Sequence, residues 1–414
     1  MNIKRIILKL GKSAKKYFLR TAKRLMKKRN FWPAIKIIAV LLFILVVTVK
    51  YIDSKKIAPT ISPAQSPAAA EENFSDKVGQ MLMIGFRGTE ISSDSYIAKA
   101  EKELNLGGVI LFDRDVPSKS ARRNITNPKQ TKKLVADLKS FSQKEPLLVA
   151  VDAEGGLVNR LNPSLGFADI PSAQELGKEG NGPALDSYWD LAQEISNLGI
   201  NLNFGPVVDV NINPENPVIG GLKRSYSAAP DKIATMARSF IAAHRSFGIL
   251  TALKHFPGHG SSNSDSHLGF ADVTNTYQQS ELLPYEQLLK ENAVDAVMTA
   301  HIINRQIDPD YPATLSPLFI QNILREKLGF EGVVFSDDMQ MGAITDSYSF
   351  DDSIIRAINA GCDILIFSNN DKEYDESVPY RARDVILTAI QNNQISKDRI
   401  NQAYERIMKL KKKL

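Results

Sequence analysis

Eight short apolar runs, separated by polar loops and amphipathic segments, constrain the fold of this chain more than any other feature. Each run is five to nine residues long, which is typical of a buried strand. The segments between them, such as 232–247 and 351–360, have the apolar spacing of helices. Because alternating strands and helices form parallel sheets, eight such units predict a closed (β/α)8 barrel, a TIM-type α/β fold, with a doubly wound open sheet as the alternative. The runs are Met81–Phe86, Gly108–Phe112, Leu147–Asp152, Leu202–Val210, Ile249–His255, Val294–His301, Gly332–Asp337 and Asp363–Phe367.

The first 73 residues differ in composition from the rest of the chain. Residues 1–30 contain twelve Lys and Arg and no Asp or Glu, whereas the remainder contains 40 basic and 46 acidic residues. Residues 31–52 are apolar and long enough to span a membrane if Lys36 and Lys50 reach the interfaces. Residues 53–73 are rich in Pro, Ala and Ser, which predicts a linker. We therefore expect a cytoplasmic basic arm, one transmembrane signal-anchor, and an extracytoplasmic barrel domain over residues 74–414.

A cleaved signal peptide is the alternative to this anchor, because the uninterrupted apolar run Ile37–Val49 has the length of a signal-peptide core. The small-residue cluster Ala68–Ala70 lies far beyond that run, which favours an uncleaved anchor. The slightly acidic balance of the barrel domain argues against nucleic acid as a partner. No phosphate-binding or dinucleotide-binding glycine motif occurs. The single cysteine, Cys362, lies in an apolar run and is expected in the core.

Polar side chains follow several of the predicted strands at the point where each strand ends. In a parallel barrel these ends surround one opening, where the catalytic groups of such folds lie. A helix-capping Asp followed by a surface Arg explains the third segment equally well when it is considered alone. The residues are Asp152 and Arg160 after the third run, Asp209 and Arg224 after the fourth, and His301 after the sixth.

Two adjacent carboxylates, Asp337 and Asp338, come at the end of the seventh run, after its apolar part Gly332–Phe335 and Ser336. A capping role accounts for one of them but leaves the other without a function. Since neighbouring side chains at a strand end point in different directions, one should face the barrel opening and the other the wall. The pair therefore predicts a catalytic carboxylate.

The densest group of titratable side chains is the loop after the fifth run. It contains Lys254-His255-Phe256-Pro257-Gly258-His259-Gly260 and continues to Asp265-Ser266-His267. The spacing of His255 and His259 resembles that of metal ligands, but Pro257-Gly258 is incompatible with the regular helix on which that spacing works. Four of the five histidines lie at or just after strand ends, the exception being His244 on a helix. This distribution indicates that the four histidines belong to one functional site and are not scattered through the core.

This loop, together with Ser336-Asp337-Asp338-Met339 after a strand, resembles glycoside hydrolase family 3 and, more narrowly, its bacterial β-N-acetylhexosaminidases. The resemblance covers residues 74–414 and implies a barrel enzyme that removes terminal β-N-acetylglucosamine, with retention, from peptidoglycan-derived glycans. It implies that Asp337 is the nucleophile, His267 the acid/base and Asp265 its paired carboxylate, with no metal or organic cofactor. Other matches are the sugar-holding positions Asp152, Arg160, Arg224, Lys254 and His255, and the pocket-lining positions His301 and Met339.

The chain departs from the family pattern at a few positions. The family often has Gln where Ala153 stands, Arg where Leu157 stands, and Asp or Asn followed by Thr where Ser261-Ser262 stands, and Lys223 is additional. These changes leave the expected catalytic residues intact and bear on the aglycone side. Three alternatives stay open: a β-glucosidase or β-xylosidase of the same family, a metal-dependent hydrolase using His255, His259 and Asp265, and an inactive membrane-tethered glycan-binding protein.

Overall fold

Eight parallel strands close into a barrel in the computed structural model, which describes residues 67–120, 122–266, 269–370 and 372–414, with side chains from Phe74 onward. Around the ring the order is β1-β2-β3-β4-β5-β7-β9-β10, and β10 pairs with β1. The short strands β6 and β8 pair separately. The predicted closed barrel is therefore confirmed. The strands are β1 Leu82–Gly85, β2 Gly108–Leu111, β3 Leu148–Val151, β4 Leu202–Asn203, β5 Leu250–Phe256, β6 Ala271–Asp272, β7 Ala296–Thr299, β8 Ile302–Ile303, β9 Val333–Asp338 and β10 Ile364–Phe367.

Helices follow most of the barrel strands and cover the outside of the ring. Local sequence sets several of their starts: Asn127 caps the helix that begins at Pro128, and its side chain accepts a hydrogen bond from the Gln130 N–H at 3.0 Å. One segment, Leu318–Lys327, is a π-helix, and three 3₁₀ turns occupy Pro163–Leu165, Gln279–Leu282 and Ala313–Leu315. The α-helices are α1 Pro67–Gln80, α2 Tyr96–Leu104, α3 Pro128–Phe141, α4 Ala173–Glu179, α5 Asn181–Leu198, α6 Pro230–Ser246, α7 Leu283–Leu289, α8 Gly342–Thr345, α9 Phe350–Ala360, α10 Val378–Gln391 and α11 Lys397–Lys411.

The barrel interior is filled by apolar side chains from the strands. Phe204 and Phe335 meet edge to face inside it, with ring centroids 5.3 Å apart. Burying a side chain of this size contributes about 1.5–3 kcal/mol to stability. Close packing also explains the glycine that begins β2, because a Cβ on Gly108 would lie 2.6 Å from Met83 Cε and 2.7 Å from the Leu148 carbonyl oxygen. Replacing Gly108 with alanine would therefore force these strands apart.

The fourth strand is shorter than the predicted run Leu202–Val210, because regular pairing ends at Asn203. Pro206 has no N–H to continue the ladder. The Asn203 side chain takes over part of the pairing, since its amide accepts from the Ala153 N–H at 3.1 Å and donates to the Ala153 carbonyl at 3.0 Å. A single bridge between Val207 and Lys254 then keeps this segment beside β5.

The predicted N-terminal segments fall largely outside the described residues. These are the basic arm (1–30), the transmembrane anchor (31–52) and the linker as far as residue 66. Helix α1 begins at Pro67, so the last part of the predicted linker is helical in the structure. Within residues 67–414, excluding 121, 267, 268 and 371, no helix combines the length and apolarity that a membrane crossing requires.

Candidate active site

A cavity of about 470 Å³ opens at the C-terminal ends of the barrel strands, and we call it the strand-end cavity. Its floor is apolar and comes from strand residues such as Ile110, Met298 and Ile366. Its wall carries charged groups from the ends of β5 and β9 and from the loops after β3 and β4, which lie far apart in sequence. Six of the predicted site residues line it: Asp152, Arg160, Arg224, Lys254, His255 and Asp337.

The two carboxylates at the end of β9 have different surroundings. Asp338 is directed to the neighbouring strand, where its carboxylate accepts from the Ser368 N–H at 3.0 Å and from the Ser368 hydroxyl. Burial raises the pKa of Asp338 to about 6, and the nearby charge of Asp337 acts in the same direction. Asp337 lines the cavity, and its Oδ1 accepts from the Asp338 N–H at 2.8 Å. The backbone of one Asp thus orients the carboxylate of the other.

A buried lysine connects the ends of β3 and β5. Lys254 is 2% exposed, and its Nζ lies 2.7 Å from both Asp152 Oδ1 and Glu154 Oε1. Glu154 also receives both arms of Arg224, at 2.8 and 2.7 Å. Burial alone would raise the pKa of Glu154, but the charges of Arg224 and Lys254 outweigh it and hold that pKa well below its usual range. The four residues form a fixed array of alternating charge, in which Asp152, Arg224 and Lys254 line the cavity and buried Glu154 lies behind them.

The neighbouring histidine, His255, has one defined tautomer. Its Nε2 lies 3.2 Å from Nη2 of Arg224, and a guanidinium can only donate, so Nε2 accepts. Its Nδ1 therefore carries the proton and donates to Asp209 Oδ2 at 2.7 Å. Asp209 is fully buried and also accepts from the His259 N–H at 2.8 Å. Burial would raise the pKa of Asp209, but its contacts with His255 and His259 lower it overall.

Arg160 reaches the cavity from the loop after β3. That loop is closed by hydrogen bonds from the Arg160 N–H to the Asp152 carbonyl at 2.9 Å and from the Glu154 N–H to the Val158 carbonyl at 3.1 Å. The Arg160 guanidinium lies over the Phe112 ring, 5.6 Å from its centroid, and 3.9 Å from Asp113 Oδ1. It has no short ion pair to another described side chain, so it can turn towards a bound ligand.

The histidine-bearing loop is tied down at several points. The Asn216 amide donates to the His259 carbonyl at 2.7 Å, and the Asn213 N–H donates to the Gly260 carbonyl at 3.0 Å. Further along, the Ala343 N–H donates to the Ser266 carbonyl at 3.3 Å, which brings this part of the loop beside the segment that follows Asp337. Asp265 is half-buried there. His267, the expected acid/base, lies outside the described residues.

The structure corrects the expectation that His301 and Met339 line the pocket. His301 is fully buried below it, where its Nε2 donates to the Asp338 carbonyl at 2.9 Å and its Nδ1 meets the Thr314 hydroxyl at 2.8 Å. It therefore supports the backbone at the end of β9. Met339 points to a separate cleft beside α9, because side-chain direction alternates along the strand end. Met341 lines the strand-end cavity instead.

The arrangement around His259 does not resemble a metal site. His259 is buried, its Nε2 lies 3.2 Å from the Ser266 hydroxyl, and burial lowers its pKa to about 4. His255 is occupied by Asp209 and Arg224, as described above. Among the described residues, no group of three or more His, Cys, Asp or Glu side chains is arranged to hold a metal ion.

Sequence reasoning missed the partners that hold the predicted residues in place. Sequence reasoning did not single out Glu154, and it placed Asp209 and Asp338 at strand ends without identifying their partners. All three are carboxylates at or just after the end of a barrel strand, so that position was the available signal. What they contact could not be known, because their partners lie 30 to 100 residues away in sequence.

Comparison with known proteins relates this geometry to a family. A family model described as the glycosyl hydrolase family 3 N terminal domain matches residues 73–410. A beta-hexosaminidase of Idiomarina loihiensis is 34% identical over 337 residues, which cover 78% of this chain and 96% of that protein. A beta-hexosaminidase of Tolumonas auensis is 35% identical over 299 residues, covering 70% of this chain and 83% of that protein.

Two solved structures have the same fold. A glycoside hydrolase family 3 beta-N-acetylglucosaminidase from a Paenibacillus species superposes with a TM-score of 0.74 at 34% identity, covering 82% of this chain and 62% of that one. Beta-N-acetylhexosaminidase from Beutenbergia cavernae superposes with a TM-score of 0.71 at 28% identity, covering 82% of this chain and 98% of that one. The similarity extends over almost all of the barrel.

Proposed function

The chain belongs to glycosyl hydrolase family 3 and is a glycoside hydrolase, and on this premise we propose that it removes terminal β-linked N-acetylglucosamine with retention of configuration. The observation that carries this proposal is the set of Asp152, Arg224 and Lys254 on the wall of the cavity that Asp337 lines, with Glu154 behind them as the partner of Arg224 and Lys254. Such an array can donate to and accept from neighbouring sugar hydroxyls. The relatives named beta-hexosaminidase and beta-N-acetylglucosaminidase support the choice of sugar.

The proposed reaction has two steps. The Asp337 carboxylate attacks the anomeric carbon while the bond to the aglycone oxygen breaks, and protonated His267 gives its proton to that oxygen. Water then attacks the same carbon, returns a proton to His267 and releases the sugar from its ester with Asp337. Histidine suits both steps, because its ordinary pKa is about 6.5. Asp265 would hold the imidazole in the right tautomer, as a carboxylate does for other catalytic histidines.

The substrates we propose are peptidoglycan-derived glycans outside the cytoplasm. The support is the sequence of residues 1–52, whose basic arm and apolar segment are typical of an uncleaved signal-anchor. The barrel would then stand on the outer side of the membrane on a short linker. Protease added to intact spheroplasts should digest the barrel domain, and full protection of that domain would contradict this location.

A panel of aryl β-glycosides that differ only at carbon 2 of the sugar tests the proposed specificity. The N-acetylglucosaminide should be hydrolysed at least about 100-fold faster than the glucoside or the xyloside, because a site built to bond a polar group rejects sugars that lack it. Equal rates, or a preference for the glucoside, would favour the β-glucosidase or β-xylosidase alternative. EDTA should leave the rate unchanged, and a loss that added metal restores would instead favour the metal-dependent alternative.

A further inference from the structure

The two most exposed large apolar side chains among the described residues both belong to the strand-end cavity. Leu157 is 69% exposed and Val116 is 55% exposed, and both line that cavity. A single exposed leucine or valine is common on a protein surface and needs no explanation. Two of them at the opening of the cavity that contains Asp337 form a local apolar surface at the edge of a charged site, and such surfaces mark ligand contacts.

Val116 is held outward by the segment that contains it. Val116 begins a turn that the Lys119 N–H closes by donating to the Val116 carbonyl at 3.1 Å, and the preceding Asp115 is buried, where it pairs with buried Arg123 and with Arg87 at 2.9 Å. The backbone on either side is fixed by Asn370, which accepts from the Val116 N–H at 2.9 Å and donates to the Arg114 carbonyl at 3.1 Å. Val116 is therefore presented at the cavity opening by a rigid support.

Leu157 is held at the tip of a tight turn. The two glycines before it have φ of 88° at Gly155 and 56° at Gly156, which other residues rarely adopt. A Cβ at Gly155 would also lie 2.4 Å from the Pro171 carbonyl oxygen, so the turn is packed against the chain behind it. Because the turn cannot easily collapse, Leu157 stays in solvent although burying it would be favourable.

A third apolar side chain, half-buried Leu222, lines the same opening. The three residues lie in the loops after β2, β3 and β4, which are neighbours in the barrel. We call Val116, Leu157 and Leu222 the apolar rim. Strand β3 is four strands from β9 in either direction around the ring, so the rim lies across the opening from Asp337.

We infer that the apolar rim is the aglycone subsite and that it favours aglycones with an apolar face, such as alkyl or aryl groups, over a second fully hydroxylated sugar. This inference rests on the proposed function, because it takes Asp337 as the nucleophile. A nucleophile and its leaving group occupy opposite faces of the anomeric carbon. The aglycone therefore points away from Asp337, and because the proposed enzyme acts on a terminal sugar, the aglycone extends to the opening of the cavity, where the exposed side chains of the rim lie. There the aglycone covers Leu157 and Val116 and removes their surface from water.

Ethyl and hexyl β-N-acetylglucosaminides test the inference on the full chain. The two alcohols are almost equally acidic, so their departure is equally difficult and a difference in kcat/KM reports contact with the longer alkyl chain. We expect the hexyl glycoside to be preferred by about tenfold, which is typical of a few methylenes in an apolar contact. Leu157→Asn and Val116→Asn should each reduce that preference towards equality. Both positions are exposed, so neither change should alter the thermal unfolding midpoint.

Leu318→Asn is the matched control, since Leu318 is 37% exposed and does not line the strand-end cavity. It should keep the full preference for the hexyl glycoside. Equal kcat/KM for the two glycosides in the unaltered chain would overturn the aglycone inference and leave the proposed function standing. A hexyl preference that survives both rim substitutions would assign the apolar contact to other residues. Failure to hydrolyse any β-N-acetylglucosaminide, aryl ones included, would overturn the proposed function itself.

Discussion

Buried ion pairs occur at both ends of the barrel, and the two ends use them differently. At the end where the strands begin, Asp363 is fully buried and lies 2.8 to 3.2 Å from Arg325, Arg399 and Arg406. It also accepts from the Val334 N–H at 3.0 Å. Arg325 and Arg399 donate in addition to backbone carbonyls, whereas Arg325 Nε and Arg399 Nη1 are buried without a hydrogen-bond partner among the described residues.

At the end where the strands finish, the charges of Asp152, Glu154, Arg224 and Lys254 also neutralise one another, but all of these residues except Glu154 border the strand-end cavity. Buried ion pairs contribute little to stability unless the remaining hydrogen-bonding groups are satisfied. The array at Asp363 directs its charges to one another and to backbone carbonyls within the fold, and the array at Lys254 lies beside space for a ligand. The same chemistry is therefore enclosed in the fold at one end and borders the proposed substrate cavity at the other, which is the usual division in barrels of this type.

Removing the proposed nucleophile should give the largest functional effect. We expect Asp337→Ala to reduce kcat by about 10⁴-fold or more, because no other group can form the glycosyl ester. The unfolding midpoint should stay unchanged, since Asp337 borders a cavity. The exposed Asp384→Ala is the control. If Asp337→Ala kept activity within about tenfold of the parent, the nucleophile would have to be another residue.

Asp363→Asn should have the opposite profile. Three arginines would lose their counter-charge in a buried position, so we expect the free energy of unfolding to fall by about 3–5 kcal/mol. The fraction that remains folded should hydrolyse substrate at a nearly normal rate. Urea unfolding and active-site titration measure the two quantities separately. Glu331→Gln, an exposed change near the same end of the barrel, should alter neither the free energy of unfolding nor the rate per folded molecule. A stable but inactive Asp363→Asn would contradict the assignment of Asp363 to stability.

Glu154→Gln should reduce kcat/KM by about 100-fold, because it removes the charge that orients both Arg224 and Lys254. The pKa of Glu154 is held below its usual range, so its contribution is present above the ordinary glutamate pKa and is lost only in strong acid. The reduction of kcat/KM caused by Glu154→Gln should therefore be the same at pH 5 and pH 8. A factor that disappears at pH 5 would mean that Glu154 titrates within this range and that its charge is not held by its partners.

Asp338→Asn should have the smallest effect, and it should depend on pH. Burial raises the pKa of Asp338 from 3.8 to about 6, so the folded state retains a proton that the unfolded state releases first. Ionisation of Asp338 therefore leaves the free energy of unfolding unchanged below pH 4. It lowers that free energy progressively between pH 4 and pH 6, and by a constant amount above pH 6. The variant should gain stability relative to the parent as pH rises through this window. Urea unfolding at pH 4, 5, 6 and 7 would reject this account if the two stability profiles ran parallel.

Local pattern made the barrel predictable, and the exceptions have local causes. Each of the eight runs contains a barrel strand, because burial on both faces demands uninterrupted apolar residues. The predicted run Leu202–Val210 is longer than strand β4. Its apolar composition continues beyond Pro206, but backbone pairing cannot continue there because proline has no N–H. Strand-end position also predicted Asp152, Lys254, His255 and Asp337 as cavity residues. The family resemblance, and not strand-end position, implied a pocket-lining Met339, and its side chain lies in a separate cleft because a shift of one residue along an extended segment reverses the direction of a side chain.

The sequence by itself determined the fold class and the end of the barrel at which the charged residues gather, because apolar periodicity and strand order act through neighbouring residues. Only the tertiary structure decided which of those residues touch. Lys254 and Asp152 are 102 positions apart and meet at 2.7 Å, and Arg224 reaches Glu154 across 70 positions. Such pairs form when the whole ring closes and brings eight strand ends around one cavity. The apolar rim was equally out of reach, because whether Leu157 stands in solvent or packs inward depends on the turn and on the chain behind it.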